Sequence, residues 1–101
     1  MTVGFYQIGD TVRAHTESEP FMNSSSVNTD PTVITFAMLE PDGVETTYTG
    51  VGANITKSAA GKFSVTWTSA KMGQHQWRFL GTGAAIGAVT GEFMIEGTVL
   101  A

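Results

Sequence analysis

The chain has 101 residues, of which 42% are hydrophobic and only 14% are charged, and its formal net charge is −4. This length predicts one domain with a single core, and the five Lys and Arg residues form no basic stripe, which argues against direct nucleic-acid binding. There is no cysteine, so disulfides and thiolate metal sites are excluded. With no signal-peptide pattern and no run near the ~20 apolar residues of a membrane span, we expect a protein made in the cytoplasm that enters no membrane.

The N-terminal segment, residues 1–9, is apolar but follows no clear repeat. It is predicted to be either a first strand or an arm that lies on a neighbouring subunit, and residues 10–101 are predicted to form the folded domain. Residues 11–16 alternate apolar and polar side chains, as a short half-buried strand does. Residues 17–29 have the composition of a loop, in which Pro20 interrupts regular secondary structure.

The clearest local signal is a β-hairpin between Asp30 and Gly50. In its turn, Glu40-Pro41-Asp42-Gly43, Pro41 supplies the φ of the first central position and Gly43 can adopt the left-handed conformation that closes a bulged hairpin. The strand before the turn is apolar on both faces and is predicted to be central in its sheet. The strand after the turn has one polar face and is predicted to be half-exposed.

Further strands are predicted at residues 55–57, 62–68, 74–80 and 92–96, each separated from the next by a glycine-containing turn. The glycine-rich stretch 81–87 is predicted to be a loop, since it has neither the spacing nor the lysine of a phosphate-binding loop. The alternation predicts one core made of Phe36, Phe63, Val65, Trp67, Trp77, Phe79, Phe93 and Ile95.

About seven short strands at spacings of ~8–12 residues predict an all-β fold, an immunoglobulin-like β-sandwich of antiparallel strands. A small barrel is the alternative architecture. The low charge content fits a surface partly covered by partners, and it fits equally a surface solvated by Ser, Thr and Gly.

No constellation of catalytic or metal-binding residues is recognisable. The two histidines, His15 and His75, lack metal-ligand spacing, and each is expected to be a surface or partly buried sheet residue. There is no calcium loop and no nucleophile elbow. The sequence therefore predicts no catalytic residue, no metal, no cofactor and no enzymatic activity.

Several short motifs occur in an order that is similar to a group of small immunoglobulin-like virion proteins of tailed bacteriophages and prophages. The resemblance spans residues 9–97 and rests on Gly9-Asp10-Thr11-Val12, Asp30-Pro31-Thr32, Pro41-Asp42-Gly43, Gly61-Lys62-Phe63, Gly73-Gln74-His75-Gln76-Trp77-Arg78, Gly81-Thr82-Gly83 and Gly91-Glu92-Phe93. It implies a non-enzymatic virion structural protein that decorates or stabilises the capsid, or that sits at the head–tail junction or in the tail. The implied partners are other virion proteins, above all the major capsid protein.

Two segments without an obvious core role are predicted to form the interface with that subunit or with a sister copy. These are the N-terminal arm and the glycine-rich loop, and the residues assigned to the interface are Val3, Phe5, Tyr6, Ile8, Gly83, Ala84, Ala85 and Ile86. Deletion of residues 2–8 is accordingly expected to leave the fold intact and to abolish binding. The alternative function is an adhesion or carbohydrate-binding module, in which Tyr6, Tyr48 and Trp77 would stack on sugars.

Overall fold

The structure is a computed structural model that describes residues 3–52, 54–68 and 71–96, with the backbone alone for residues 3–5. The described residues contain no helix and eight strands, where the sequence predicted about seven. The strands are β1 (Val3–Gln7), β2 (Thr11–His15), β3 (Val33–Leu39), β4 (Glu45–Thr49), β5 (Thr56–Ala59), β6 (Lys62–Thr68), β7 (Gly73–Thr82) and β8 (Gly87–Glu96).

The strands form two sheets. One sheet has five strands in the order β1-β8-β7-β3-β4, and the other has three in the order β2-β6-β5. Every neighbouring pair is antiparallel except β1 and β8, which run parallel. Because buried residues of both sheets belong to one cluster, the arrangement is all-β and compatible with a β-sandwich.

The core is built from inward-facing residues at every second position of the central strands. Phe36 on β3 lies at its middle, with ring centroids 4.9 Å from Phe79 and 6.5 Å from Trp77. Of the eight predicted core residues, seven are buried. Trp67 is the exception, because it packs against the core from the C-terminal end of β6 and stays half-buried.

The predicted hairpin is present. The Glu40 amide donates to the Val44 carbonyl at 2.9 Å, and Gly43 closes the turn with a φ of 89°. As predicted, β3 is central, since it pairs with β4 on one side and with β7 on the other. Its second apolar face is exposed at the two ends, with 45% of Val33 and 39% of Leu39 accessible, and half-buried between them at Thr35 and Ala37.

The strand directions define two ends of the molecule. The loop after β2, residues 16–32, meets the end of β7 where the Thr32 amide donates to the Thr82 carbonyl at 2.8 Å. The segment after β4 meets the same region, because the Gly50 amide donates to the Ile34 carbonyl at 2.9 Å. We call this the loop end; residues 16–32, 50–52, 54–55 and 83–86 all belong to it. The opposite, hairpin end carries the turn at residues 40–43.

Candidate interaction surface at the loop end

One group of titratable side chains, which contains His75, comes together at the hairpin end and acts in the fold. His75 is fully buried, so the expectation of a surface or partly buried residue is wrong. Its ring stacks on Phe93 with centroids 4.8 Å apart, and its Nε2 lies 3.7 Å from the Glu40 carboxylate. Since the imidazole is enclosed by the core, it has no access to a substrate.

Lys71 completes this group with two ion pairs. Lys71 Nζ lies 3.2 Å from the Glu40 carboxylate and 2.8 Å from that of Asp42. The hydrogen bond with Asp42, followed by the one with Glu40, raises the pKa of Lys71, and the hydrogen bond from Lys71 lowers the pKa of Asp42. The group therefore ties the β3–β4 turn to the start of β7. Among the residues that the structure describes, no three His, Asp or Glu side chains are placed to hold a metal ion.

The N-terminal segment assigned to the interface is part of the five-stranded sheet. β1 pairs with residues 92–96 of β8, and Tyr6 packs the edge of its ring on Phe93 at 5.8 Å. Ile8 follows the strand and is 36% exposed. The side chains of Val3 and Phe5 lie outside the described part of the chain.

The second predicted segment, the loop at residues 83–86, is held against Thr32. The Ala84 amide donates to Thr32 Oγ1 at 2.9 Å, and a Cβ on Gly83, whose φ is 89°, would lie 2.1 Å from the same oxygen. Ala85 is buried in the core and is unavailable to a partner, whereas Ile86 is 79% exposed. The contacts with Thr32 thus hold a loop in which one large apolar side chain, that of Ile86, is exposed to solvent.

The structure does not bring the two segments together. β1 lies beside the half of β8 that is far from the loop, and Val3 pairs with Glu92, five residues after Gly87. At about 3.3 Å per residue, this separates the nearer end of β1 from the loop by ~17 Å. The arm and the loop therefore lie at opposite ends of β8.

Ile86 has apolar neighbours at the loop end that the sequence did not single out. Met22 lines the same groove as Ile86 and is 43% exposed. We call the exposed apolar residues of this end the loop-end patch; its members are Met22, Val27, Val33, Val51 and Ile86. They are far apart in sequence, so no local pattern could have found them.

Hydrogen bonds hold the part of this patch around Asn23. The Asn23 side-chain oxygen accepts hydrogen bonds from the backbone amides of Ser25 at 2.9 Å and Val27 at 3.1 Å. The backbone amide of Asn23 donates to the Val27 carbonyl at 2.9 Å. Asx turns of this kind fix a short loop without other support. Met22 and Val27 are therefore displayed on an ordered turn.

Asp30 joins this loop to the three-stranded sheet. One carboxylate oxygen accepts from the Gly61 amide at 2.9 Å, and the other lies 2.5 Å from Lys57 Nζ. The hydrogen bond from Lys57, followed by that from Gly61, lowers the pKa of Asp30 below its ordinary value. The charges of Asp30 and Lys57 are thus engaged with each other, which leaves the loop-end patch bordered by a neutralised pair.

Comparisons of this chain with protein-family models, with curated proteins and with solved structures return no match. Among the described residues, no helix has the length and apolar character needed to cross a membrane. The case for a function therefore rests on the fold, on the loop-end patch and on the ordered motifs of the sequence.

Proposed function

We propose that the protein is a non-enzymatic, immunoglobulin-like virion component of a tailed bacteriophage, which binds other virion subunits through its loop end. The proposed role is capsid decoration or stabilisation, with the head–tail region as the other location. The major capsid protein is the proposed partner, and contacts between sister copies are included. The observation that carries the binding role is the exposure of Ile86 on a hydrogen-bonded loop.

The strand order supports the immunoglobulin-like assignment. Immunoglobulin variable-type domains combine a sheet that contains strands G, F, C and C′ with a second sheet that contains B, E and D. Here β8-β7-β3-β4 and β2-β6-β5 have those neighbours in that chain order. Phe36 takes the central position on β3 where antibody domains have a tryptophan, and the chain has no cysteine for the disulfide beneath it.

The character of the loop end supports a binding role. Ile86 and Met22 share a groove, and 79% of Ile86 and 43% of Met22 are exposed in the isolated chain. Clustered apolar exposure of this kind marks interaction sites, whereas single exposed apolar residues need no explanation. Because hydrogen bonds to Asn23 and Thr32 already fix both loops, little ordering free energy would oppose binding.

The virion assignment is motivated by the ordered motifs and by the low charge content. A decoration protein is bound on a particle in many copies, and a chain with only 14% charged residues suits burial between subunits. The direct test is mass spectrometry of purified particles, in which many copies per particle are expected. Detection of the protein only in the lysate, and never in particles, would contradict the proposal.

The loop-end contact is tested by Ile86→Glu, with Val44→Glu as the matched control. Val44 is 48% exposed at the hairpin end, so both variants place a carboxylate on an exposed apolar site. We expect both to melt like the parent protein, and Ile86→Glu alone to bind about tenfold more weakly to particles that lack the native protein, a change of ~1.4 kcal/mol. Equal binding by the two variants would exclude the loop end as the contact.

The adhesion or carbohydrate-binding alternative gains no support from the aromatic residues. Trp77 is buried, and Tyr48 stacks on Phe36 with centroids 6.2 Å apart. Tyr6 and Tyr48 lie on β1 and β4, the two outer strands of the five-stranded sheet, which are ~19 Å apart at a strand spacing of ~4.8 Å. The described residues therefore offer no pair of exposed rings for a sugar.

A further inference from the structure

The first half of β8 is an open sheet edge. On the side away from β7, the only neighbour of β8 among the described residues is β1, and β1 pairs only with residues 92–96. Residues 87–91, here called the open edge, pair with β7 on one side and with no described strand on the other. Alternate residues of a strand direct their N–H and C=O groups to each edge, so a row of backbone donors and acceptors is available here.

A groove runs along the open edge. On its far side lie β2, itself the outer strand of the other sheet, and the segment that follows β2. Two adjoining cavities share Ser18, Glu19 and Val89. The groove is therefore continuous from Ile86 at the loop end to Tyr6 on β1. The groove therefore extends the line of β1 along β8.

The floor of this groove is the least covered part of the core. Val89 is 8% exposed and Trp77 is 9% exposed, while every other buried apolar residue is exposed by 4% or less. The Trp77 indole lies directly over Gly91, where a Cβ would be 2.3 Å from Trp77 Cζ2. An added strand would place every second side chain over these two residues and finish covering them.

The walls of the groove give it an acidic character. Arg13 is engaged by Glu17, four residues later. Glu92 accepts a hydrogen bond from Gln74 at 2.6 Å, and Glu19 makes no ion pair with any described residue. In a chain of net charge −4, this arrangement favours an occupant that carries lysine or arginine.

We propose that the open edge binds an extended segment of a partner polypeptide, which adds to the sheet as a strand in line with β1. The segment alternates apolar side chains, which face Val89 and Trp77, with polar ones, and it carries a basic residue that reaches Glu19. Main-chain hydrogen bonds supply the attachment, and the apolar floor and the carboxylates select the sequence. The inference deepens the binding function proposed above and relies on it for the existence of a partner.

The test uses the nonapeptide Lys-Thr-Val-Thr-Val-Thr-Val-Thr-Lys and the whole chain labelled for NMR. Amide hydrogen exchange is measured with and without about 1 mM peptide, which nearly saturates a site whose Kd is ~0.1 mM or lower. Edge amides of residues 87–91 should become about tenfold more protected. Those of β4, the opposite outer strand of the same sheet, should not change. Unchanged exchange at residues 87–91, or equal protection at both edges, would overturn the proposal.

The charge requirement is tested by Glu19→Lys against Glu45→Lys. Both variants make the same charge change, but Glu45 lies on β4, away from the groove. Peptide affinity should fall about tenfold in Glu19→Lys and stay within about twofold in Glu45→Lys. Equal loss in both would show bulk charge attraction and overturn the proposal. A protein that binds particles through Ile86 but shows no protection at residues 87–91 would keep the proposed function and lose this inference.

Discussion

Gly61 is the residue on which the loop after β2 is anchored. Its amide donates to Asp30 Oδ1 at 2.9 Å, and its carbonyl accepts from the Phe21 amide and from Thr16 Oγ1, each at 3.0 Å. Its φ is 72°, and a Cβ would lie only 2.3 Å from the Phe21 carbonyl oxygen. Both the backbone conformation and the space therefore require glycine here.

The first prediction separates these two requirements by comparing Gly61→Ala with Gly50→Ala. Gly50 has a similar φ of 82°, but nothing lies within 4 Å of its Cβ position. The left-handed conformation alone should lower the free energy of unfolding of Gly50→Ala by about 1–2 kcal/mol. Gly61→Ala must also move the Phe21 backbone, so its loss should reach about 3 kcal/mol or more. Urea denaturation measures both losses. Equal midpoints would show that the Phe21 backbone moves to accommodate the Cβ without a further loss of stability.

At the scale of elements, Asp30 and Lys57 link the loop after β2 to β5. The hydrogen bond from Lys57 is the main reason that the pKa of Asp30 is lowered, with the Gly61 amide second. A carboxyl group whose pKa is lower in the folded state adds stability above its unfolded pKa of ~3.9 and loses it as the pH falls through the folded value. The link should therefore weaken in acid.

The second prediction follows for Asp30→Asn. The parent should be more stable than the variant at pH 7, and the difference should shrink as the pH falls below about 4, because Asp30 becomes protonated. Because 40% of the Asp30 side chain is exposed, solvent screening limits the difference to about 1 kcal/mol. Urea denaturation of both proteins at pH 7, 5 and 3 gives this difference directly, since the other carboxylates contribute equally to both. A difference that does not change with pH would rule out the charged link.

The third prediction distinguishes the two tryptophans of β6 and β7. Trp77 is 9% exposed and packs on Phe36 and Phe79, whereas Trp67 is half-buried beside Tyr48 at 6.3 Å. Trp77→Ala should lower the free energy of unfolding by about 3–5 kcal/mol, as in other buried aromatic truncations, and Trp67→Ala by clearly less. Thermal melting followed by circular dichroism tests the order. A larger loss for Trp67→Ala would mean that the core is centred nearer to β6.

The alternation of β7 shows what the sequence could predict. His75, Trp77 and Phe79 are all inward, as their period of two required. The ends of β7 and β8 could not be predicted, because the glycines that suggest a loop are strand residues. A Cβ on Gly81 would lie 2.7 Å from Pro31 and one on Gly91 would lie 2.3 Å from Trp77, so close tertiary packing excludes a side chain at both.

The loop-end patch shows where sequence reasoning stopped. The exposure of Ile86 follows from the hydrogen bond between the Ala84 amide and Thr32, two residues that are 52 positions apart in the chain. Met22 and Ile86 share a groove only because their loops meet at one end of the sheets. Such contacts depend on topology, and no periodicity or spacing encodes them. The loop predicted to form the interface thus contains both the exposed Ile86 and the buried Ala85.

At the scale of the whole molecule, the outer edges of the sheets divide the surface into parts with different roles. β1 covers the second half of one edge of the five-stranded sheet, while residues 87–91 remain open. The parallel pairing of β1 along β8 makes the N-terminal segment a structural element. The sequence predicts that residues 2–8 can be removed without effect on folding, as if they formed an arm. The pairing of β1 with β8 indicates instead that their removal affects folding.

The last prediction is therefore that deletion of residues 2–8 destabilises the domain. The deletion removes five paired positions on β8 and uncovers Phe93, which Tyr6 contacts at 5.8 Å. It also lengthens the unpaired edge to the whole of β8, a template for pairing between copies. We expect a loss of about 3 kcal/mol, close to that of a buried aromatic residue, and concentration-dependent association in sedimentation experiments. Tyr6→Ala, which keeps the backbone pairing, should lose less stability and associate no more than the parent. A truncated chain that melts like the parent and does not associate would show that β1 contributes nothing to the folded sheet and would restore the view of this segment as an arm.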